Sequence, residues 1–455
     1  MDNLIDLTEG SIIKKLSKMA FPIMMTSLFQ MAYNLTDMIW LGRVGSRAVA
    51  AAGTAGFFMW LASSLVMITK IGSETTVSRS IGKKDYTKVQ DFIRTNIFTA
   101  AVIGIIYSVF IALFASNLLT FFKFDEEIIY VMASDYLRII SAGFLFSFLT
   151  PTFSGIYNGM GNSRTPFLVN TIGLAFNIVL DPVLIIILKL GVRGAALATV
   201  FSQLIVFLVF LFLFNTKIKK LFNMKFFVKI KIKDLYEVFK IGFPVTLQNG
   251  AFCIFSMILT RMVSYYGAVP VAVQSVGSQI ESLSWMTAGG FSTALGSFTG
   301  QNFGAGKFHR IIKGYRTTLF ISFVIGAGVT FVFIAFGGPV FSFFLPETDA
   351  LEYGIIYLKI LAVSQMFMMS EITTQGVFNG LGNTFPPSFV SIVFTGLRIP
   401  FAIFLSYFFI KDVTSVWWAV SISSIFKGIV LPVWFKFYYS RKLTGLPEIS
   451  KDTDC

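Results

Sequence analysis

The sequence predicts an all-α polytopic membrane protein, with twelve transmembrane helices in two six-helix lobes related by a parallel internal repeat. Three observations lead there. Of 455 residues, 55% are hydrophobic and only 13% charged, about half the ~25% charge of soluble domains, so lipid is the main solvent. Apolar segments long enough to cross a bilayer recur from end to end, and helices satisfy their backbone groups within each segment. Short motifs also return at a near-constant shift along the chain.

In order, the expected spans are 18–41, 48–73, 95–116, 138–160, 166–187, 194–215, 241–264, 270–298, 317–338, 355–380, 386–409 and 415–437. Residues 1–17 are polar and predict no separate signal peptide. With the N-terminus inside, and with Lys18, Arg138 and Lys436 at span ends counted in the adjoining segments, the cytoplasmic segments carry twenty-five Lys and Arg and the external ones seven. By the positive-inside rule both termini are cytoplasmic, and the expected location is the inner (plasma) membrane, multi-pass. The net charge of +14 therefore needs no nucleic acid. The stretch "KIKKLFNMKFFVKIKIKD", 217–234, reads as a linker lying on anionic headgroups.

Cys253 and Cys455 have no spacing partner, and His309 is the one histidine, in a basic loop. Histidine bases, cysteine nucleophiles and His-rich metal sites are thus not expected. The chain does not read as an enzyme, and no cofactor is predicted.

The repeat has three anchors. "AFP" at 20–22 returns as "GFP" at 242–244, and Gly82 meets Gly304 at the same shift of 222. "GIYNGMGNSRTPF" returns as "GVFNGLGNTFPPSF", shifted by 221; the Gly and Asn of both suit tight left-handed reversals. Six spans per half insert both halves in the same sense, as in transporters that rock two lobes about a central site. The expected organisation is an N-terminal lobe 1–216, a basic linker 217–240, a C-terminal lobe 241–437 and a tail 438–455.

A carboxylate near the bilayer centre costs at least ~2.5 kcal/mol, so each one needs a reason. Glu74, at the cytoplasmic end of span 2 near Lys70 and Arg79, reads as a surface pair. Span 1 sets Gln30, Tyr33, Asn34 and Asp37 on one polar stripe. In span 5, "NIVLDPVLI" puts Asn177 and Asp181 at i and i+4, on one helix face, and span 6 adds Thr199. These residues could offer hard oxygens to one small cation, or the two carboxylates could share a proton. Asp181 followed by Pro182 also suits the N-cap and first position of a restarted helix. As a joint, Pro182 would remove one donor and clash with the carbonyl of Ile178. Shifted by 221, Asn177 and Asp181 become Arg398 and Ala402, so this acidic set belongs to the first half. In the second half, Glu281 and Glu371 invite a basic partner such as Arg398 or Lys359, or a cationic substrate.

At these residues the chain resembles the multidrug and toxic compound extrusion (MATE) family of antiporters. The likeness runs through "AFPIMMTSLFQMAYNLTDMIWLGRVG", "NIVLDPVLI", "GVRGAALATVFSQ" and "QIESLSWMTAGGFSTALGSFTGQNFGAG". It implies a V-shaped, monomeric transporter exporting amphipathic, often cationic, small molecules in exchange for H+ or Na+ by alternating access. For the prokaryotic branch it implies a cation-coupling set on Asp37, Asn177, Asp181 and Thr199, with no metal beyond Na+ there. The substrate cavity would then draw on Gln30, Tyr33, Asn34, Glu281 and Glu371, with Pro182 as hinge. Another branch uses acids in spans 7 and 10; span 7 here has none, and Glu371 only approximates the second. The alternative is a lipid-linked oligosaccharide flippase of the same superfamily, for which Arg261 and Arg398 would supply cations.

Overall fold

The protein is described by a computed structural model covering residues 4–122, 126–223, 229–345 and 347–440, without the side chains of Asn34, Leu35, Tyr438 and Ser440. Part of the expected linker and most of the expected tail (441–455) lie outside the described residues. The helices are α1 Ile12–Val44, α2 Ser46–Gly82, α3 Tyr86–Leu119, α4 Glu127–Gly159, α5 Arg164–Pro182, α6 Gly191–Leu213 and a single turn, α7 Lys219–Leu221. Then follow α8 Ile232–Ser264, α9 Ala268–Gly304, α10 Phe308–Ala335, α11 Gly337–Ser342 and α12 Thr348–Ala362. The last are α13 Gln365–Gly380, α14 Phe385–Gly396, α15 Arg398–Phe408 and α16 Thr414–Trp434.

Among the described residues, nine helices are long and apolar enough to cross a membrane, or ten if α12 and α13, bent by 52°, form one span. The expected spans 18–41 and 270–298 fall within α1 and α9, which are outside that set. Polar residues along both, Gln30 and Asp37 in α1 and Gln279 and Glu281 in α9, lower their hydropathy.

The chain divides into two compact units, but not by cutting once between the halves. One unit holds residues 25–246 with 1–6; the other holds 247–455 with 7–24. The first part of α1 therefore belongs with the second unit, and the first part of α8 with the first. Close packing accounts for both memberships. In the first unit, a Cβ on Gly242 of α8 would lie 2.3 Å from the Ile68 carbonyl oxygen of α2, so only glycine permits this approach. In the second, Gly290 of α9 takes the small-residue role, and a Cβ there would meet Met24 Cγ at 2.3 Å and the Ala20 carbonyl oxygen at 3.1 Å of α1.

Polar contacts before each of these helices repeat the pattern. Ahead of α8 and at its start, Lys231 bonds Asp91 and Asp234 bonds Lys88, both at 2.6 Å, and Glu237 faces Arg79 at 3.8 Å. The bond to Asp91 raises the pKa of exposed Lys231. Ahead of α1, the Leu7 amide donates to Gln301 at 2.9 Å, and Arg310 donates to the carbonyls of Glu9 and Gly10 at 2.9 and 2.8 Å.

Each unit has its own core. In the first, Phe144, Phe148, Phe153, Tyr157 and Phe210 pack between α4 and α6. In the second, Trp417 is fully buried, with Tyr357 edge-on at 5.1 Å. The reversals after α4 and α13 turn at Gly161 and Gly382, with φ of 82° and 64°, the left-handed backbone expected of these turns.

Candidate functional site

Span 5 does not restart at Asp181. α5 runs through to Pro182 and passes directly into a π turn, Val183–Ile187. Proline leaves the helix without one donor, and the wider turn absorbs the shift in hydrogen-bond register. Asp181 is thus not a helix cap. Its Oδ1 accepts from Asn177 Nδ2 at 3.2 Å, and both side chains are fully buried. The amide has to donate here, because an ionised carboxylate only accepts.

α1 and α6 close the group. Tyr33 donates its hydroxyl to Thr199 Oγ1 at 3.0 Å, and Thr199 is 2% exposed. Asp37, one turn beyond Tyr33, lies close enough to Asp181 for their charges to act on each other. Tyr136 of α4, also buried, feels the same two carboxylates and Tyr33. Reading along single helices did not single it out, since its nearness depends on how α4 packs.

Three oxygens in this cluster are buried without a hydrogen-bond partner among the described residues: Asp37 Oδ1, Asn177 Oδ1 and Asp181 Oδ2. Buried polar atoms ordinarily find partners, and all three of these accept. One oxygen from each of two carboxylates and one amide oxygen, left without a donor among the described residues, suit a small hard cation or a proton. The residue types thus fit the coupling ion, H+ or Na+, that the resemblance implies. Groups of three or more His, Cys, Asp or Glu able to hold a metal are absent among the described residues.

Beside the cluster the same unit has a partly open cavity of about 560 Å³, a size suited to a drug-like molecule. Gln30, Tyr33 and Thr199 are in its wall, whereas Asp37, Asn177 and Asp181 are not. Tyr33 and Thr199 therefore belong to both the cavity and the acidic cluster. The side chain of Asn34 lies outside the described residues. Glu74, expected at the surface, is only 4% exposed.

The second unit is built differently. Glu371 pairs with Lys427 at 3.0 Å, both side chains being buried, and also accepts from Gln375 at 3.2 Å. Glu281 accepts from Gln365 at 3.2 Å, which in turn accepts from Ser284 at 2.7 Å. Arg398 donates to Ser423 and Ser424 at 3.1 Å each, and its charge acts on both glutamates. Two acids and two bases thus lie within electrostatic reach of one another, with Glu371 and Lys427 as the direct ion pair. Lys427, on α16, escaped sequence reasoning, although a lysine inside an apolar run was the available signal. Neither glutamate pairs with Lys359, and neither is in the wall of the cavity described above.

The family profile MatE matches the chain twice, over residues 22–183 and 244–404. The chain is similar to the "Probable multidrug resistance protein NorM" of Thermotoga maritima, with 25% identity over 93% of this chain and 92% of that one. It is also similar to the "Multidrug export protein MepA" of Staphylococcus haemolyticus, at 23% identity over 93% of both. Among solved structures, one described as the outward-facing conformation of a multidrug resistance MATE family transporter superposes with a TM-score of 0.89. Its identity to this chain is 23%, covering 97% of this chain and 98% of that one.

Proposed function

The chain belongs to the MatE family, and on that footing we propose that it is a secondary active antiporter. It exports amphipathic small molecules from the cytoplasm in exchange for H+ or Na+, by alternating access of two lobes in the plasma membrane. The family consists of transporters, and the relatives named above are multidrug resistance and export proteins.

Two lobes of six spans related by a parallel repeat are supported by the double match, whose two copies begin 222 residues apart, at 22 and 244. The pairs Ile68–Gly242 and Gly290–Ala20 obey the same shift. So do Lys88 and Arg310, which receive the segments leading into α8 and α1. The charge bias of the loops supports cytoplasmic termini.

One observation carries the coupling role: three buried acceptor oxygens on Asp37, Asn177 and Asp181 with no hydrogen-bond partner among the described residues, beside a cavity that shares Tyr33 and Thr199 with them. A cation that binds one shape of this unit better than another shifts the balance between them by that difference in affinity. One charge moving inward across ~150 mV supplies about 3.5 kcal/mol, which at about 1.4 kcal/mol per tenfold supports a ratio of a few hundred for a neutral cargo. The flippase reading is weaker, because neither of the cations it would use, Arg261 and Arg398, lines the cavity described above, and Arg398 donates to Ser423 and Ser424 instead.

Proteoliposomes holding the purified protein and a fluorescent amphipathic dye test the proposal. Separately imposed Na+ and pH gradients should accelerate dye movement with one ion and not the other. Equal rates with and without either gradient reject antiport.

A further inference from the structure

We propose that the cavity of the first unit binds amphipathic aromatic compounds that carry an anionic oxygen group, and that Lys70 is the residue that binds that group. This rests on reading the cavity as the place where cargo sits. The resemblance implies amphipathic, often cationic, cargo, but the cavity wall points the other way. Lys70 of α2 is the one charged residue in that wall. It makes no hydrogen bond or ion pair with the described residues. Glu74, one turn along α2, acts on it only through its charge and is not part of the wall.

The position of Lys70 is fixed by packing. A Cβ on Gly155 of α4 would lie 2.5 Å from the Lys70 carbonyl oxygen, and the hydroxyls of Thr69 and Thr152 meet at 2.8 Å. α2 and α4 are thus locked together at this level. Two more groups in the wall lack partners: the hydroxyls of Thr150 and Ser202 are buried with no hydrogen bond among the described residues. An ammonium and two hydroxyls can all donate, and an ammonium cannot accept. A ligand that satisfies them brings acceptor oxygens, and an anionic group makes the strongest such bonds. Phe29, Trp60 and Phe144 supply flat apolar surface for the rest of the molecule.

A matched pair of dyes tests this: tetramethylrhodamine with its benzoate free, a zwitterion at neutral pH, and its methyl ester, a cation. Binding to the purified full-length protein is read by fluorescence polarisation at low ionic strength, with no ion gradient. Wild type and Lys70→Arg should bind the free acid about tenfold more tightly than the ester, the scale of one charge-assisted hydrogen bond. Lys70→Met should bring the ratio near one, and Lys70→Glu should invert it. If either variant fails to fold, wild type and Lys70→Arg still decide. Equal binding by wild type, a preference for the ester, no binding of either dye, or a preference surviving in Lys70→Met overturns the proposal. Because no gradient is involved, a Lys70-dependent preference without gradient-driven export rejects antiport alone. Gradient-driven export of the ester without that preference rejects only the anion site.

Discussion

Asp181 and Glu371 are both buried carboxylates in apolar helices, yet their surroundings assign them opposite work. Asp181 has one amide donor and an oxygen left over; Glu371 has a lysine at 3.0 Å. Removing charge should therefore read out differently at the two sites. If Asp181 holds the coupling cation, Asp181→Asn keeps the shape and deletes the charge, so cation affinity should fall at least tenfold with the thermal midpoint little changed. Isothermal titration of the purified protein together with a melting curve checks both. Glu371→Gln instead strands a buried ammonium, a change that costs about 3–5 kcal/mol. Its melting temperature should drop, and Lys427→Met in the same chain should recover part of the loss. A stable Glu371→Gln protein that has lost cation binding would move the coupling site to the second unit. The Asn177–Asp181 pair was legible in sequence, because spacing of four sets both on one helix face. Lys427 was not, because its partner lies 56 residues away on another helix, and pairing between helices leaves no periodic trace.

At the scale of elements, Pro182 ends α5 and a π turn follows at once. Asp181-Pro182 suits either a joint or a fresh helix start, and the continuous helix removes the second. If the turn flexes between transport states, Pro182→Ala should restore the missing hydrogen bond, stiffen α5 and slow export several-fold, while cation binding survives. Binding and export measured on one preparation separate the cases; a parallel fall in both means that Pro182 only shapes the site. Gly242 makes a second test. Alanine there would press its Cβ within 2.3 Å of the Ile68 carbonyl, and relieving that clash should cost about 1–3 kcal/mol, seen as a lower melting temperature. A midpoint unchanged in Gly242→Ala would mean that α8 does not lie against α2. This packing was invisible in sequence: "AFP" and "GFP" announced a repeat without saying which helix each copy would lean on.

For the whole molecule, composition and charge bias made the membrane class readable, and the constant shift made the duplication readable. The exchange of residues 7–24 and 232–246 between the units was not readable, because hydropathy reports burial in lipid or protein without naming the neighbour. Functionally, the two units differ in whether their buried charges are already paired. In the second, Glu371 and Lys427 are, whereas in the first, Asp37 Oδ1 and Asp181 Oδ2 have no hydrogen-bond partner among the described residues. Dye transport into proteoliposomes, driven by an imposed Na+ or H+ gradient and compared between wild type and Asp37→Asn, tests that asymmetry most directly. Coupling through the first unit predicts that the gradient accelerates wild type at least tenfold and leaves Asp37→Asn at its gradient-free rate. An Asp37→Asn protein that responds to the gradient as fully as wild type would contradict it.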